Sequence, residues 1–164
     1  MNAAVIGTRV PTDKQVKYLQ EFIAGLDAGT TVISGCAKGI DTKALQFAKK
    51  RGLFTKCFVP FARKFGFADE VIVLSSLPTA LRQEAYESVK KYHPAKGGGK
   101  ISSVFHARNY LIVYKADFVL AVPNTTKKSF GGTGQGIRIA YGLGIPIRVI
   151  DEDGKEITDA LSRM

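Results

Sequence analysis

Short apolar runs alternate with longer amphipathic stretches along the whole chain, the pattern of a parallel sheet flanked by helices. Residues 3–7 predict a first strand. Pro11 and Thr12 then open a helix to about Asp27, with Val16, Leu19, Phe22, Ile23 and Leu26 at helical spacing. A second strand is expected over Thr31–Ser34, a helix over residues 40–51 with Gly52 as its stop, and a third strand over 54–60. The middle is less regular. Residues 71–74 predict a short strand whose place in a sheet the pattern leaves open, and 78–92 predict a helix. Pro94 and Gly97-Gly98-Gly99 predict a flexible surface loop. A helix over 103–115, a buried strand over Phe118–Val122, a short helix over Gly134–Gly142 and a strand over 145–150 follow, with one or two helical turns in the tail. No repeat or linker divides the chain, so residues 1–164 read as a single domain of the α/β class.

Composition changes this picture little. The apolar fraction of 45% and charged fraction of 23% are globular values. No apolar run approaches the ~18 residues needed to cross a bilayer. The N-terminus has neither a basic region nor a long apolar core, so a cytoplasmic protein without membrane contact is expected. Cys36 and Cys57 lie far apart in unlike contexts, and neither a disulfide framework nor a metal site follows from them. The formal charge of +10 is the unusual feature. Basic surfaces attract phosphate polyanions, nucleic acid being the commonest. The basic residues are spread out, with short clusters at Lys49-Lys50-Arg51, Lys90-Lys91 and Lys127-Lys128, so charge supports an anionic ligand without naming it.

Open parallel sheets collect ligands at the carboxyl ends of their strands. Gly7-Thr8-Arg9 follows the first strand and offers close backbone approach, a hydroxyl and a guanidinium suited to phosphate; an ordinary strand-to-helix turn explains it equally well. Ser34-Gly35-Cys36-Ala37-Lys38-Gly39-Ile40-Asp41 runs from a strand end into a helix start, where backbone N–H groups can hold an anion. It matches neither the dinucleotide fingerprint nor the P-loop, and no cofactor is expected. Asp41 either contacts a ribose or base, or caps the helix, the commoner role for a carboxylate there. His106-Ala107-Arg108-Asn109-Tyr110 falls inside a predicted helix. His106 and Asn109 are one turn apart and share a face, while Arg108 points elsewhere on an ideal helix, so these residues alone read as a solvated polar face. The strongest segment is Phe130-Gly131-Gly132-Thr133-Gly134-Gln135-Gly136, between a strand and an apolar helix. So many glycines at a helix start point to close backbone approach to a bound group.

Ser34-Gly35-Cys36-Ala37-Lys38-Gly39-Ile40-Asp41-Thr42, followed by Ala44 and Ala48, resembles the Ser-Gly-x-Ala-x-Gly-Ile-Asp segment of the DNA-processing protein A family. His106-x-Arg108-Asn109, Ala116-Asp117 and Gly131-Gly132-Thr133-Gly134 resemble the wider superfamily that includes the lonely-guy phosphoribohydrolases and YpsA-like proteins. The resemblance runs from about Ala3 to Ile150. It implies a Rossmann-like three-layer sandwich with a mostly parallel central sheet, a nucleotide or nucleic-acid ligand, and pairing of copies into a homodimer. Members of the DNA-processing protein A family are usually longer, with flanking domains. The lonely-guy enzymes carry Pro-Gly-Gly-x-Gly-Thr-x-x-Glu, whose glutamate takes part in removing the base from a nucleotide. Here Phe130 stands in the proline position, Gln135 in the threonine position and Arg138 in the glutamate position. An arginine stays protonated and cannot act as that acid or base, which disfavours hydrolysis by that route.

The leading expectation is therefore a nucleotide- or single-stranded-DNA-binding protein. Its binding set is Gly7, Thr8, Arg9, Ser34, Gly35, Lys38, Gly39, Asp41, Arg108, Asn109, Gly131, Gly132, Thr133, Gly134 and Gln135. The competing class is an enzyme acting on the N-glycosidic bond of a nucleotide, for which Asp41, Asp117 and Glu84 are the available carboxylates and Asp41 the candidate catalytic residue. A sensor that binds a nucleotide signal without turnover is a third reading.

Overall fold

A computed structural model of the chain describes residues 1–62, 65–93 and 100–164. Six strands form one sheet: β1 (Asn2–Gly7), β2 (Thr31–Ser34), β3 (Phe54–Val59), β4 (Glu70–Val73), β5 (Phe118–Val122) and β6 (Ile147–Val149). Their spatial order is β4-β3-β2-β1-β5-β6, and every neighbouring pair is parallel. The centre is β1 beside β5, in register from Ala3↔Phe118 to Gly7↔Val122. Both strands are buried on both faces, which is why each reads as a continuous apolar run instead of an alternating one.

Helices cover both faces. α1 (Asp13–Ala24) and α2 (Ile40–Lys50) lay Leu19, Ile23, Ala44, Leu45 and Ala48 on one side. On the other, α3 (Thr79–Tyr92), α4 (Lys100–Val113) and α5 (Gly131–Gly142) supply Ala85, Val89, Leu111, Ile137 and Ile139. A short α6 (Ala160–Arg163) closes the chain. This is a Rossmann-like α/β sandwich.

Local chemistry sets the element starts. Thr12 caps α1 in a reciprocal box: its hydroxyl accepts from the Gln15 amide (3.2 Å) while the Gln15 side chain accepts from the Thr12 amide (3.0 Å). Gln15 is buried, and its Nε2 donates to Pro123 O (2.9 Å), tying the start of α1 to the end of β5. Glu152 accepts from the Thr125 amide (2.6 Å) and hydroxyl, which fixes the segment between β5 and α5.

The structure departs from the sequence pattern in several places. Residues 71–74 are largely β4, a parallel edge strand beside β3. β6 is shorter than expected, because Pro146 gives its carbonyl to Val119 but has no N–H to continue the ladder. The expected glycine loop at Gly97-Gly98-Gly99 lies outside the described residues. Cys36 and Cys57, far apart in sequence, have their sulfurs 3.1 Å apart, because β2 and β3 are neighbours. Helix α5 starts at Gly131, three residues before the expected Gly134, so the glycines form its first turn and not a loop ahead of it.

Two of those glycines are packing residues. A Cβ on Gly136 would run into the Ile6 side chain, and one on Gly134 into the Ser129 carbonyl and Met164 Cε. Backbone cannot swing aside as a side-chain tip can. Gly134→Ala is therefore expected to destabilise the chain by about 1–3 kcal/mol, read as a lower urea midpoint at unchanged slope; an unaltered midpoint would show that α5 relaxes freely.

Candidate functional site

β1 is followed by α1 on one face, and β5 by α5 on the other. Where the order reverses, the two strands' carboxyl ends splay apart and leave a crevice. A cleft of about 240 Å³ lies there. Its walls come from four segments: Gly7, Thr8 and Arg9 after β1; Ala37 and Asp41 after β2; Phe105, His106, Arg108 and Asn109 on α4; and Asn124, Lys127 and Phe130 to Thr133 after β5.

The back wall is a buried charge pair. Arg108 is only 8% exposed and Asp41 only 6%. Arg108 Nη1 donates to Phe58 O at 3.4 Å, and its Nε to Asn109 Oδ1 at 3.2 Å. A Cβ at Gly35 would lie 2.7 Å from both Arg108 Nη1 and Asp41 Oδ2, so glycine is required beneath the pair. Burial pushes the Asp41 carboxyl up to about 6, against the pull of the Arg108 guanidinium and of Ser34, Ala37 and Gly7. Among the described residues its Oδ1 has no hydrogen-bond partner. Burial also pulls Arg108 below the ordinary arginine value, with Asp41 opposing.

The expected capping role for Asp41 does not hold. The cap position of α2 is Gly39, which makes no side-chain cap bond, and the carboxylate turns inward. The expected solvated face on α4 does not hold either. Tertiary packing draws Arg108 inward, and the half-buried His106 ring packs at a tilt against His93 (4.3 Å between centroids, 51°). Burial, with the positive charges around it, pushes His106 down to about 4, so it is neutral at pH 7.

The front wall is the start of α5. Ser129 (φ 50°), Phe130 (φ 58°) and Gly131 (φ 60°) are left-handed in succession and swing the chain into the helix. Such strained non-glycine backbone persists only where its surroundings hold it; here buried Phe130 is the anchor. No side chain caps α5; the Gly131 amide donates to Lys128 O, and Gly131 to Thr133 line the cleft at the helix start, where first-turn amides lack intrahelical partners. A Cβ at Gly132 would meet nothing within 4 Å, in contrast to Gly134 and Gly136. Asn109 Nδ2 reaches Gly132 O at 3.4 Å, tying α4 to this turn. Arg9 and Lys127 stand exposed at the rim.

Nine of the sequence candidates line the cleft: Gly7, Thr8, Arg9, Asp41, Arg108, Asn109, Gly131, Gly132 and Thr133. Six do not. Buried Ser34 donates to Val5 O (2.5 Å), Gly35 makes room for the charge pair, and Lys38 points to solvent. Gly39 (φ 80°) lies against Thr8 O and Arg9 O, 2.5 and 2.6 Å from a built Cβ, letting the first two loops touch. Gly134 faces Ser129, and Gln135, fully buried, accepts from Arg138 Nη2 (3.0 Å). Sequence reasoning missed Phe105, Asn124 and Lys127; the Lys127-Lys128 pair just past a strand end was the available signal.

Of the three carboxylates open to the enzyme reading, two lie away from the cleft, and Arg138 has a structural partner. Arg138 Nε donates to Tyr92 O (2.6 Å), making it a brace between α5 and α3. Asp117 accepts from the Asn2 amide (2.7 Å) at the amino ends of β1 and β5, away from the cleft, and Glu84 faces Tyr110. Among the described residues, Asp41 is the one carboxylate lining the cleft.

A second cleft of about 210 Å³ adjoins the first through Arg9, Ala37, Phe105 and Arg108. It is more apolar, with Val59, Pro60 and Phe61 in its walls. Phe61 is 55% exposed and meets Phe105 edge-on (6.3 Å, 84°).

A parallel six-stranded sheet with helices on both faces and a cleft at its switch point defines an α/β protein of the Rossmann-like class. The profile of the family described as DNA recombination-mediator protein A matches residues 1–160, and the chain belongs to that family. The fold is similar to that of DNA processing protein A from Streptococcus pneumoniae, at TM-score 0.62 and 23% identity over 98% of this chain. The chain spans about half of that protein, 53% of its length. DNA processing protein A from Helicobacter pylori is similar at TM-score 0.55 and 24% identity, over 92% of this chain and 65% of that one. Comparison with curated protein sequences finds no match.

Asp41 and His106 bend the pH dependence of stability in opposite directions. A carboxyl held at about 6 against an ordinary 3.8 keeps its proton better in the folded state, so its stability is lost as pH rises through 6. A histidine held at about 4 against 6.5 contributes stability that is lost as pH falls through 4. Relative to the parent, Asp41→Asn is expected to gain stability progressively from pH 4 to 6, and His106→Asn from pH 6.5 down to 4. Urea melts at stepped pH read both; a variant whose difference from the parent is constant across its window contradicts the assignment.

Proposed function

We propose that this chain binds single-stranded DNA, seating a backbone phosphate on the first turn of α5 between Arg9 and Lys127. The observation that carries the reading is the uncapped start of α5, open at Gly132 and facing a cleft with two cations at its rim. Backbone N–H groups at a helix start suit a phosphate, and the formal charge of +10 suits a polyanion over a single nucleotide. The adjoining apolar cleft, with exposed Phe61 beside Phe105, offers a face on which a base can stack. Family membership supports the reading, as does the solved Helicobacter pylori relative, whose structure is described by its single-stranded DNA binding mode.

The test is fluorescence anisotropy with a labelled oligothymidylate and with thymidine monophosphate as competitor, repeated across salt concentrations. The oligonucleotide should bind with a salt slope well above one, since each neutralised phosphate contributes about 0.7. Binding of the mononucleotide alone, or of neither, overturns the reading.

Gly132 offers a clean variant because a side chain there has open space. Gly132→Asp is expected to keep the parent melting temperature and to weaken oligonucleotide binding by roughly tenfold or more, the effect of a like charge beside a phosphate. Arg9→Ala should weaken binding and reduce the salt slope by about 0.7.

A further inference from the structure

Cys36 and Cys57 lie outside the proposed phosphate seat. Cys36 sits just past β2 and Cys57 within β3, and the parallel register that pairs Ser34 with Cys57 brings their side chains to the same face of the sheet. Their sulfurs are 3.1 Å apart. That is about 1 Å beyond a disulfide bond, a gap that side-chain rotation within two adjoining segments can close. The two differ in access. Cys57 is fully buried, whereas Cys36 is 5% exposed and lines the apolar second cleft. Arg108 lines that same cleft with Cys36.

We propose that Cys36 and Cys57 are a redox pair that hydrogen peroxide converts to an intramolecular disulfide, with Cys36 attacking and Cys57 resolving. The Cys36 thiolate attacks one peroxide oxygen, the O–O bond breaks, and the departing hydroxide takes up a proton to leave as water. Cys36 is then a sulfenic acid. The Cys57 sulfur attacks it, the S–O bond breaks, and the oxygen leaves as a second water with the Cys57 proton. Two thiols are oxidised and one peroxide is reduced to two waters. The product ties the turn between β2 and α2, which carries Ala37 and leads to Asp41, to β3 beside Arg108.

The full chain, purified reduced, is treated with a modest excess of hydrogen peroxide, denatured, alkylated with a maleimide and analysed by mass. Loss of both alkylation sites, their return with dithiothreitol, and a linked Cys36–Cys57 peptide pair from the monomer are expected. Two thiols that still alkylate, a linkage between two copies, or sulfinic acid at Cys36 in the parent would each overturn the pairing. Cys57→Ala should leave Cys36 as a sulfenic acid trapped by dimedone. Cys36→Ala, checked for parent-like circular dichroism, should slow oxidation of Cys57 by about tenfold or more, as its burial requires; an undiminished rate overturns the assigned order.

Discussion

A guanidinium buried between layers costs several kcal/mol in lost hydration unless charge and hydrogen bonds compensate it. Arg108 sets that requirement here. It reaches from α4, on one face of the sheet, past the strand ends toward Asp41 of α2, on the other, whose charge it feels, and it donates to Phe58 O and Asn109 Oδ1. Meeting the requirement fixes much around it. Gly35 has to lack a side chain, β3 has to present a carbonyl, and α2 has to turn its second residue inward. The compensation is incomplete: Asp41 keeps a raised value near 6 and an Oδ1 without a partner among the described residues. Structural ion pairs are seldom left with such a remainder, and this one faces the cleft.

The two walls of that cleft are built on different principles. The back wall is side-chain chemistry, a buried guanidinium near a buried carboxyl and a neutral, half-buried histidine. The front wall is backbone, the first amides of α5, presented by three successive left-handed residues. A backbone site carries partial positive charge without a titratable group, and its geometry is set by the helix. Gln15 and Glu152 hold the segment between β5 and α5 against α1 and the chain's tail, and Asn109 ties the first turn of α5 to α4, so the proposed phosphate seat is tied down on three sides.

Glycine divides between these principles in a way that repetition in sequence conceals. Gly131 and Gly132 belong to the open turn, whereas Gly134 and Gly136 let α5 press against Ser129 and Ile6. Gly35 and Gly39 likewise serve the approach of protein to protein. A glycine-rich helix start therefore records close packing as much as ligand approach, and only the neighbour each Cβ would meet tells them apart.

The order of strands and helices was legible because each is a local matter: buried parallel strands demand short apolar runs, and Thr12 with Gln15 writes a helix start within four residues. The strand-end segments that became the cleft, Gly7 to Arg9 and Gly131 to Thr133, were legible for the same reason, since a strand's carboxyl end is a local position. What sequence left undecided depends on which segments become neighbours. Arg108 looked solvated until the layers closed over it, Asp41 looked like a cap until its carboxyl turned in toward Ser34, Ala37 and Gly7, and two distant cysteines met because β2 lies beside β3. Periodicity fixes which way a residue faces within its own element; what it faces is settled only when the sheet order and the packing of helices bring other elements to it.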